Sequence, residues 1–525
     1  MNPKATTAKP ETTGPSPGLR RYLFFTAAMT GAIILIVEIL GAKMLAPYLG
    51  TSHFVWTAQI GVTLLSLATG YWFGGWLVDR SQKLGQLYAC ILGAAVYLSG
   101  TIMLTEHVAY ACLKFKLEVG SILASAFLFF IPLTLLAAVG PFLIRALSHS
   151  VQGVGGLAGR LSAVSTFGSV AGTVLIGYVL IPLMPNSVTM LVCSLTLIAL
   201  SFIYFLVWGR KGGSIAPQST AAIIALGLGA LGVHADSKRE FNGQEELLRK
   251  NSDFGQLQVI RDTASGNLYY LNDFLTQNTY DPDDKKSVSL FTYMLHGLTQ
   301  VYREPLQEVL CIGLGVGIVP MEFVRDGCKV DVVEINPDVV PLAEKYFDLE
   351  PQKMGLIIGD GRQFLNESTK TYDAVILDAF LGDSSPSHLM TKEAFTSMKN
   401  RMNPGGVLVI NSFGDFAPGK DFFLASLDKT LKAVFQSVKI HHSGNGNIFF
   451  VAADVSELKR VREPDLNRVH SWVSSGAMEA YRRDFDVPNP QHGVVLTDDY
   501  NPVDFHDAAN REELRRRLAM SMRRK

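Results

Sequence analysis

Cysteine is scarce. Five thiols (Cys90, Cys112, Cys193, Cys311 and Cys328) are scattered through 525 residues with no CxxC or other metal-ligand spacing. An odd, dispersed set argues against a disulfide framework and supplies no metal site, and reduced thiols are the expected state. Surplus charge is missing as well: Lys and Arg total 47, Asp and Glu total 47, so bulk charge gives no reason to expect a nucleic-acid partner. There is no convincing internal repeat of the kind that marks a transporter of two related halves. Residues 1–19 are not expected to make a signal peptide, because the apolar segment that follows is too long and no small-residue cleavage site ends it.

Apolar sequence is abundant and unevenly placed. After a Pro-, Thr- and Gly-rich tail (1–21) expected to be disordered, residues 22–235 hold most of the long apolar runs. Segments near 22–48, 55–78, 86–105, 119–144, 161–184 and 187–208 are each long enough to cross about 30 Å of hydrocarbon at about 1.5 Å per residue. Residues 217–233 are shorter and rich in Gly and Ala, and read as a re-entrant or interfacial element, giving a transmembrane domain of six or seven helices. Arg20 and Arg21, Arg80 and Lys83, Arg145 and Arg160, and Arg210 and Lys211 fall on alternate links, with Lys114 and Lys116 as a minor exception. The positive-inside rule then puts the N-terminus in the cytoplasm, and six crossings keep the rest of the chain there, as an integral membrane protein. Glu38, deep in the first span, serves either an intramembrane function or an internal polar pairing. Gly70, Gly74, Gly75, Gly168, Gly172 and Gly177 are expected at close helix contacts.

The second half centres on Val309 to Glu334, VLCIGLGVGIVPMEFVRDGCKVDVVE. It reads as an apolar strand, a turn through Gly313, Gly315 and Gly317, a short amphipathic helix and a second strand ending in an acid. IIGDGRQFL and YDAVILDAF repeat the pattern of apolar run then acid, so Glu334, Asp360 and Asp378 would gather along one edge of a parallel sheet. Before this sheet, FGQLQVIRDTASGNLYYLNDFLTQNTY alternates around Ser265 and Gly266 as a β-hairpin. The fold class is therefore a multi-span α-helical membrane domain followed by a doubly wound α/β domain with a small β-hairpin cap. The expected boundaries are 254–300 for the cap, 301–510 for the sheet domain and 511–525 for a basic tail.

These residues resemble the spermidine synthases, polyamine aminopropyltransferases built on the S-adenosylmethionine-dependent methyltransferase fold. LNDFLTQNT resembles the family's hairpin strand, with Asp273 and Gln277 in the places of its Asp and Gln; CIGLGVG, VVEIN and GDG follow in the family's order. The resemblance implies a cofactor site of Gln277, Gly313, Gly315, Gly317, Glu334, Asp360 and Gly361, with Glu334 on the ribose and Asp360 near the adenine. LDAFLGDSSPSHLMTKEAF is similar to the segment carrying the catalytic aspartate and a second acid, which implies catalytic roles for Asp378 and Asp383. EILGAKMLAPYLGTSHFVWT, ATGYWFGGWLVDR and LTDDYNPVD look like features of a membrane-fused subgroup. Two positions depart from the pattern. Val316 stands where the family has an acid for the aminopropyl group, and Phe291 stands where it has a tyrosine, with His296 the nearest polar residue.

The chemistry so implied is displacement at the carbon beside a sulfonium, in which an amine attacks decarboxylated S-adenosylmethionine and methylthioadenosine leaves. Asp378 is the expected base and Asp383 a second acid for the far ammonium, although Asp378 could instead cap a turn and Asp383, before Ser384, Ser385 and Pro386, could be an ordinary turn residue. His388 could face the substrate or be locally bonded. The alternatives are a methyltransferase using S-adenosylmethionine in the same pocket, and a nucleotide-sensing domain controlling a membrane transport unit. The expected partners are a small amine and the lipid bilayer, with the family's homodimer implied by resemblance and no metal.

Overall fold

The computed structural model describes residues 15–50, 52–148, 153–209, 216–237, 243–380, 386–444 and 446–506. The chain divides into two compact units, essentially an N-terminal helical one and a C-terminal α/β one.

Among the described residues, the helical unit contains seven helices long and apolar enough to cross a membrane: α1 Pro17–Leu49, α2 His53–Arg80, α3 Leu84–Cys112, α4 Leu117–Leu147, α5 Val154–Leu183, α6 Asn186–Val207 and α7 Ala216–Ser237. The seventh covers the segment expected as a re-entrant or interfacial element. A re-entrant element would break and turn back, whereas α7 is a continuous helix of 22 residues. Its Gly229 lies against Leu191 of α6 and its Gly232 against Ile102 of α3. Glycines do mark close contacts here: a Cβ on Gly168 or Gly172 would overlap the α1 backbone at Ala28 and Ala32, and one on Gly70 would lie 2.5 Å from the Ala137 Cβ. Gly75 and Gly177, by contrast, face open space. Glu38 is half-buried on α1 and has no hydrogen-bond or ion-pair partner among the described residues.

The α/β unit opens with an antiparallel sheet in the order β1-β2-β3-β4-β5: Gln244–Ser252, Gly255–Asp262, Leu268–Asn272, Leu275–Asp281 and Lys286–Ser287. The hairpin expected around Ser265 and Gly266 is the β2–β3 pair, and its turn is closed by Asp262, whose carboxylate accepts from the amides of Ala264 and Ser265. Asp273 and Phe274 close β3 to β4 with φ of 46° and 64°, the left-handed conformation that a two-residue hairpin turn requires.

The main sheet has seven strands in the order β11-β12-β10-β9-β6-β7-β8. They are β6 Glu308–Ile312, β7 Lys329–Glu334, β8 Gly355–Ile358, β9 Tyr372–Leu377, β10 Met402–Phe413, β11 Ser437–His442 and β12 Asn447–Ala453. β8, β7, β6, β9 and β10 run parallel, and β12 is antiparallel to both its neighbours. Helices cover both faces, so β9 is buried along its whole length: Ala374 and Ile376 enter one core, Val375 and Leu377 the other. That is why YDAVIL reads as one apolar run. The chain proceeds outward from β6 in one direction through β7 and β8, then returns to place β9 on the other side. The carboxyl ends of β6 and β9 therefore flank a switch point, where open α/β sheets form a crevice.

Candidate functional site

A cavity of about 610 Å³ opens at this switch point. Gln277, Gly313, Gly315, Glu334, Asp360, Gly361 and Asp378 all line it, so most of the residues singled out in the sequence come together. Gly317 does not. It has φ of 85°, precedes the helix α9 (Ile318–Arg325) and packs against Leu349, so its work is to make the turn. Asp383 lies outside the described residues.

The glycine turn is held by strand ends. Gly313 donates its N–H to Val333 at 2.9 Å, and Asp378 donates its N–H to Ile312 at 3.0 Å. Gly313 has φ of 99°, and a Cβ there would overlap the Asp378 carbonyl. Only glycine lets β6 and β9 close on each other at this point.

Three acids occupy three different environments. Glu334, at the end of β7, accepts from the Leu314 amide at 2.9 Å on one oxygen and from the Asn336 amide at 2.7 Å on the other. Burial nevertheless pushes its pKa up. Asp360 caps the helix α11 (Gly361–Glu367) by accepting from the Gln363 amide at 2.9 Å, and its other oxygen lies 3.0 Å from Nε2 of His388. Burial raises the Asp360 pKa, but the Gln363 amide and His388 outweigh it and hold the carboxyl below the usual range. His388 is thus locally bonded and lines the cavity at once.

Asp378, just past β9, is half-buried and lines the cavity. Burial pushes its carboxyl up to about 6, a hydrogen bond from Asn411 opposes the rise, and the nearby charge of Glu334 adds to it. Asn411 of β10 donates to Asp378 at 2.9 Å and accepts from Asn447 of β12 at 3.0 Å. These two asparagines were missed in the sequence. The signal was there, an asparagine directly after the apolar run VLVI, and its partner came from a strand more than 30 residues away.

The cap contributes one wall. Along β3 and β4, Tyr270 pairs with Asn278 and Leu271 with Thr276, so Gln277 is the extra residue of a β-bulge. The bulge breaks strict alternation, and Gln277 and Asn278, though consecutive, both line the cavity. Phe291, on the helix α8 (Leu290–Tyr302), lines it too. His296 does not share the site: Nε2 lies 2.6 Å from Asp326, beside the Gln300 amide, and the ring packs edge-on to Phe323. Val316 is 1% exposed and belongs to the core, not the cavity wall.

The LTDDYNPVD segment braces the far side. Arg362 makes a two-pronged ion pair with Asp498 at 2.6 and 2.5 Å, and Thr391, the cap of the helix α12 (Lys392–Asn400), donates to the same carboxylate at 2.7 Å. Asn501 also donates to the Ser387 carbonyl at 3.0 Å. Away from the cavity, Asp281, Asp284 and His470 bring ligand-type atoms within 4.8 Å of one another. His470 Nδ1 accepts from the Trp472 amide at 3.2 Å, so Nε2 carries the proton and points it at Asp281, 3.4 Å away. That is the arrangement of a hydrogen-bonded clasp.

Residues 289–443 match the model of the spermine/spermidine synthase domain. Among curated proteins, the chain is 36% identical over 140 residues to a polyamine aminopropyltransferase of Vibrio vulnificus, covering 25% of this chain and 46% of that one. It is 33% identical over 138 residues to an N-terminal histidine N-methyltransferase of Emericella nidulans, covering 25% of this chain and 24% of that one. The chain thus spans less than half the length of these relatives. Spermidine synthase of Thermotoga maritima is 17% identical with a TM-score of 0.38, covering 48% of this chain and 86% of that one. Residues 289–443 of the α/β unit are thus similar to the spermine/spermidine synthase domain, and the relatives matched there include transferases.

Proposed function

We propose that the α/β unit transfers an aminopropyl group from decarboxylated S-adenosylmethionine to an amine and releases methylthioadenosine. The observation that carries this reading is Asp378: an acid with its pKa lifted to about 6, held by Asn411 and open to a cavity at the switch point. A primary amine near pH 7 is mostly protonated, and only its neutral form attacks. As the C–N bond forms and the C–S bond breaks, the nitrogen gains positive charge and then sheds a proton. A carboxylate with a pKa near 6 is about nine-tenths ionised at pH 7, ready to take that proton while stabilising the cation.

The remaining roles follow. Glu334 has its amide-bound oxygens fixed and spare lone pairs for ribose hydroxyls, Asp360 and Gly361 sit toward the base, Gln277 and the turn at Gly313 and Gly315 hold the rest of the donor, and Asp383 takes the far ammonium. The residues suit an S-adenosyl donor because an acid at the end of the second strand, beside a glycine turn, is the arrangement that binds ribose hydroxyls. The domains we assign are 22–235 for the membrane unit, 254–300 for the cap and 301–510 for the transferase.

One observation favours a methyltransferase instead: position 316 offers the cavity no acid, since Val316 is packed in the core. The separating experiment is release of methylthioadenosine, measured with a panel of diamines, by the wild type and by Asp378→Asn. Amine-dependent release that Asp378→Asn abolishes supports the aminopropyltransferase. Methyl transfer from S-adenosylmethionine with no such release sinks it.

We place the protein in a membrane through its apolar helices, with the transferase facing the cytoplasm and paired as a homodimer on the strength of the resemblance. Parity makes the side testable. Seven crossings with Arg20 and Arg21 inside would carry the domain to the outer face, whereas six keep it cytoplasmic. A cysteine at the exposed Glu457, challenged in intact cells with a membrane-impermeant maleimide, decides: labelling overturns the cytoplasmic placement. Light scattering in detergent reads the dimer.

A further inference from the structure

We infer that Asn278 is the subsite for the donor's tail, the three-carbon amine chain on the sulfonium sulfur, and that its neutral amide lets the site accept that tail with its carboxylate still attached. The inference deepens the donor reading above and rests on it. With the ribose at Glu334, the base at Asp360 and the reacting carbon at Asp378, the glycine turn and the β4 strand facing it are a stretch of the same cavity wall that can receive the tail. No charge is offered there by position 316, because Val316 is buried in the core. The residue facing the turn is Asn278, whose Nδ2 lies 3.3 Å from where a Cβ on Gly315 would be.

Asn278 is 4% exposed, lines the cavity, and has an amide oxygen buried with no hydrogen-bond partner. A buried acceptor left unpaired is costly, and a ligand that donates to it recovers that cost. The tail's ammonium is such a donor. A tail carboxylate has partners too: the Asn278 NH₂ group, and the N–H groups of Gly315 and Val316, which donate to no backbone or side-chain acceptor among the described residues. Those amides lie at the entry to α9, where the helix end favours negative charge. An acid on this wall would hold the ammonium and repel the carboxylate. An amide accepts both.

The test is calorimetric binding to the full-length protein in detergent, with three probes: methylthioadenosine, which lacks the amine tail, S-adenosylmethionine, and its decarboxylated form. We expect the wild type to bind the two tailed donors within about fivefold of each other. Asn278→Asp should shift that ratio toward the decarboxylated form by at least about tenfold and leave methylthioadenosine affinity unchanged, which also certifies that the variant is folded. If methylthioadenosine binds both proteins alike but the ratio does not move, the role of Asn278 is overturned and the donor site stands. A wild-type preference for the decarboxylated form above about twentyfold overturns it equally. If methylthioadenosine fails to bind the wild type, the donor reading falls and takes the inference with it.

Discussion

Asn411 reaches across from β10 to donate to the Asp378 carboxylate at 2.9 Å, and it is turned that way because its own oxygen accepts from Asn447 at 3.0 Å. The relay fixes which end of the Asn411 amide faces the acid. It stabilises the ionised form of Asp378 and so restrains the upward push of burial.

Removing that donor should therefore move the acid upward. In Asn411→Leu the acidic limb of the pH–rate profile is expected to shift about one unit above its wild-type position near 6, with little change in methylthioadenosine affinity. An unshifted limb would mean that Asp378 is not the titrating group.

Asp378→Asn should cost roughly 10² to 10⁴ in turnover, the range for loss of a positioned general base. It should also change stability with a definite sign. The folded pKa is raised from 3.8 to about 6, so the folded state holds the proton more tightly and stability falls as pH climbs through that window. The asparagine variant escapes this loss. It should melt higher than the wild type at pH 8 and close to it at pH 4, and equal melting temperatures at pH 8 would contradict the burial of this carboxylate.

Gly313→Ala should disable the site by structure alone. The substitution meets both a φ of 99° and the Asp378 carbonyl, and a cost of about 2 kcal/mol or more is expected in denaturant melts. Gly359→Ala, where a Cβ meets nothing within 4 Å, is the matched control and should be nearly neutral.

The C-terminal brace makes a gentler prediction. Arg362 is largely buried in its pair with Asp498, but Asp498 is 47% exposed, so Asp498→Asn should cost only about 1 kcal/mol globally. Its larger effect should be local, as faster hydrogen exchange across residues 387–392, where Thr391 loses its carboxylate partner and Arg362, which also donates to the His388 carbonyl, loses the charge that fixes it. Unchanged exchange there would remove the bracing role.

Much of this was written in the order of residues. Apolar strands ending in Glu334, Asp360 and Asp378, with a glycine turn after the first, determine a parallel sheet with acids along one edge, because local backbone geometry and burial on both faces demand those residues at those positions. The length and composition of the apolar helices are likewise fixed residue by residue. Tertiary structure alone decided the rest. Whether Gln277 and Asn278 share a wall depends on a bulge set by pairing with β3. That His296 serves Asp326 and not the cavity depends on how α8 packs, and that Asn411 and Asn447 hold Asp378 depends on β12 entering antiparallel beside β10. Periodicity records which side of an element is buried, but the partner waiting on that side comes from a distant part of the chain and is chosen only when the elements pack.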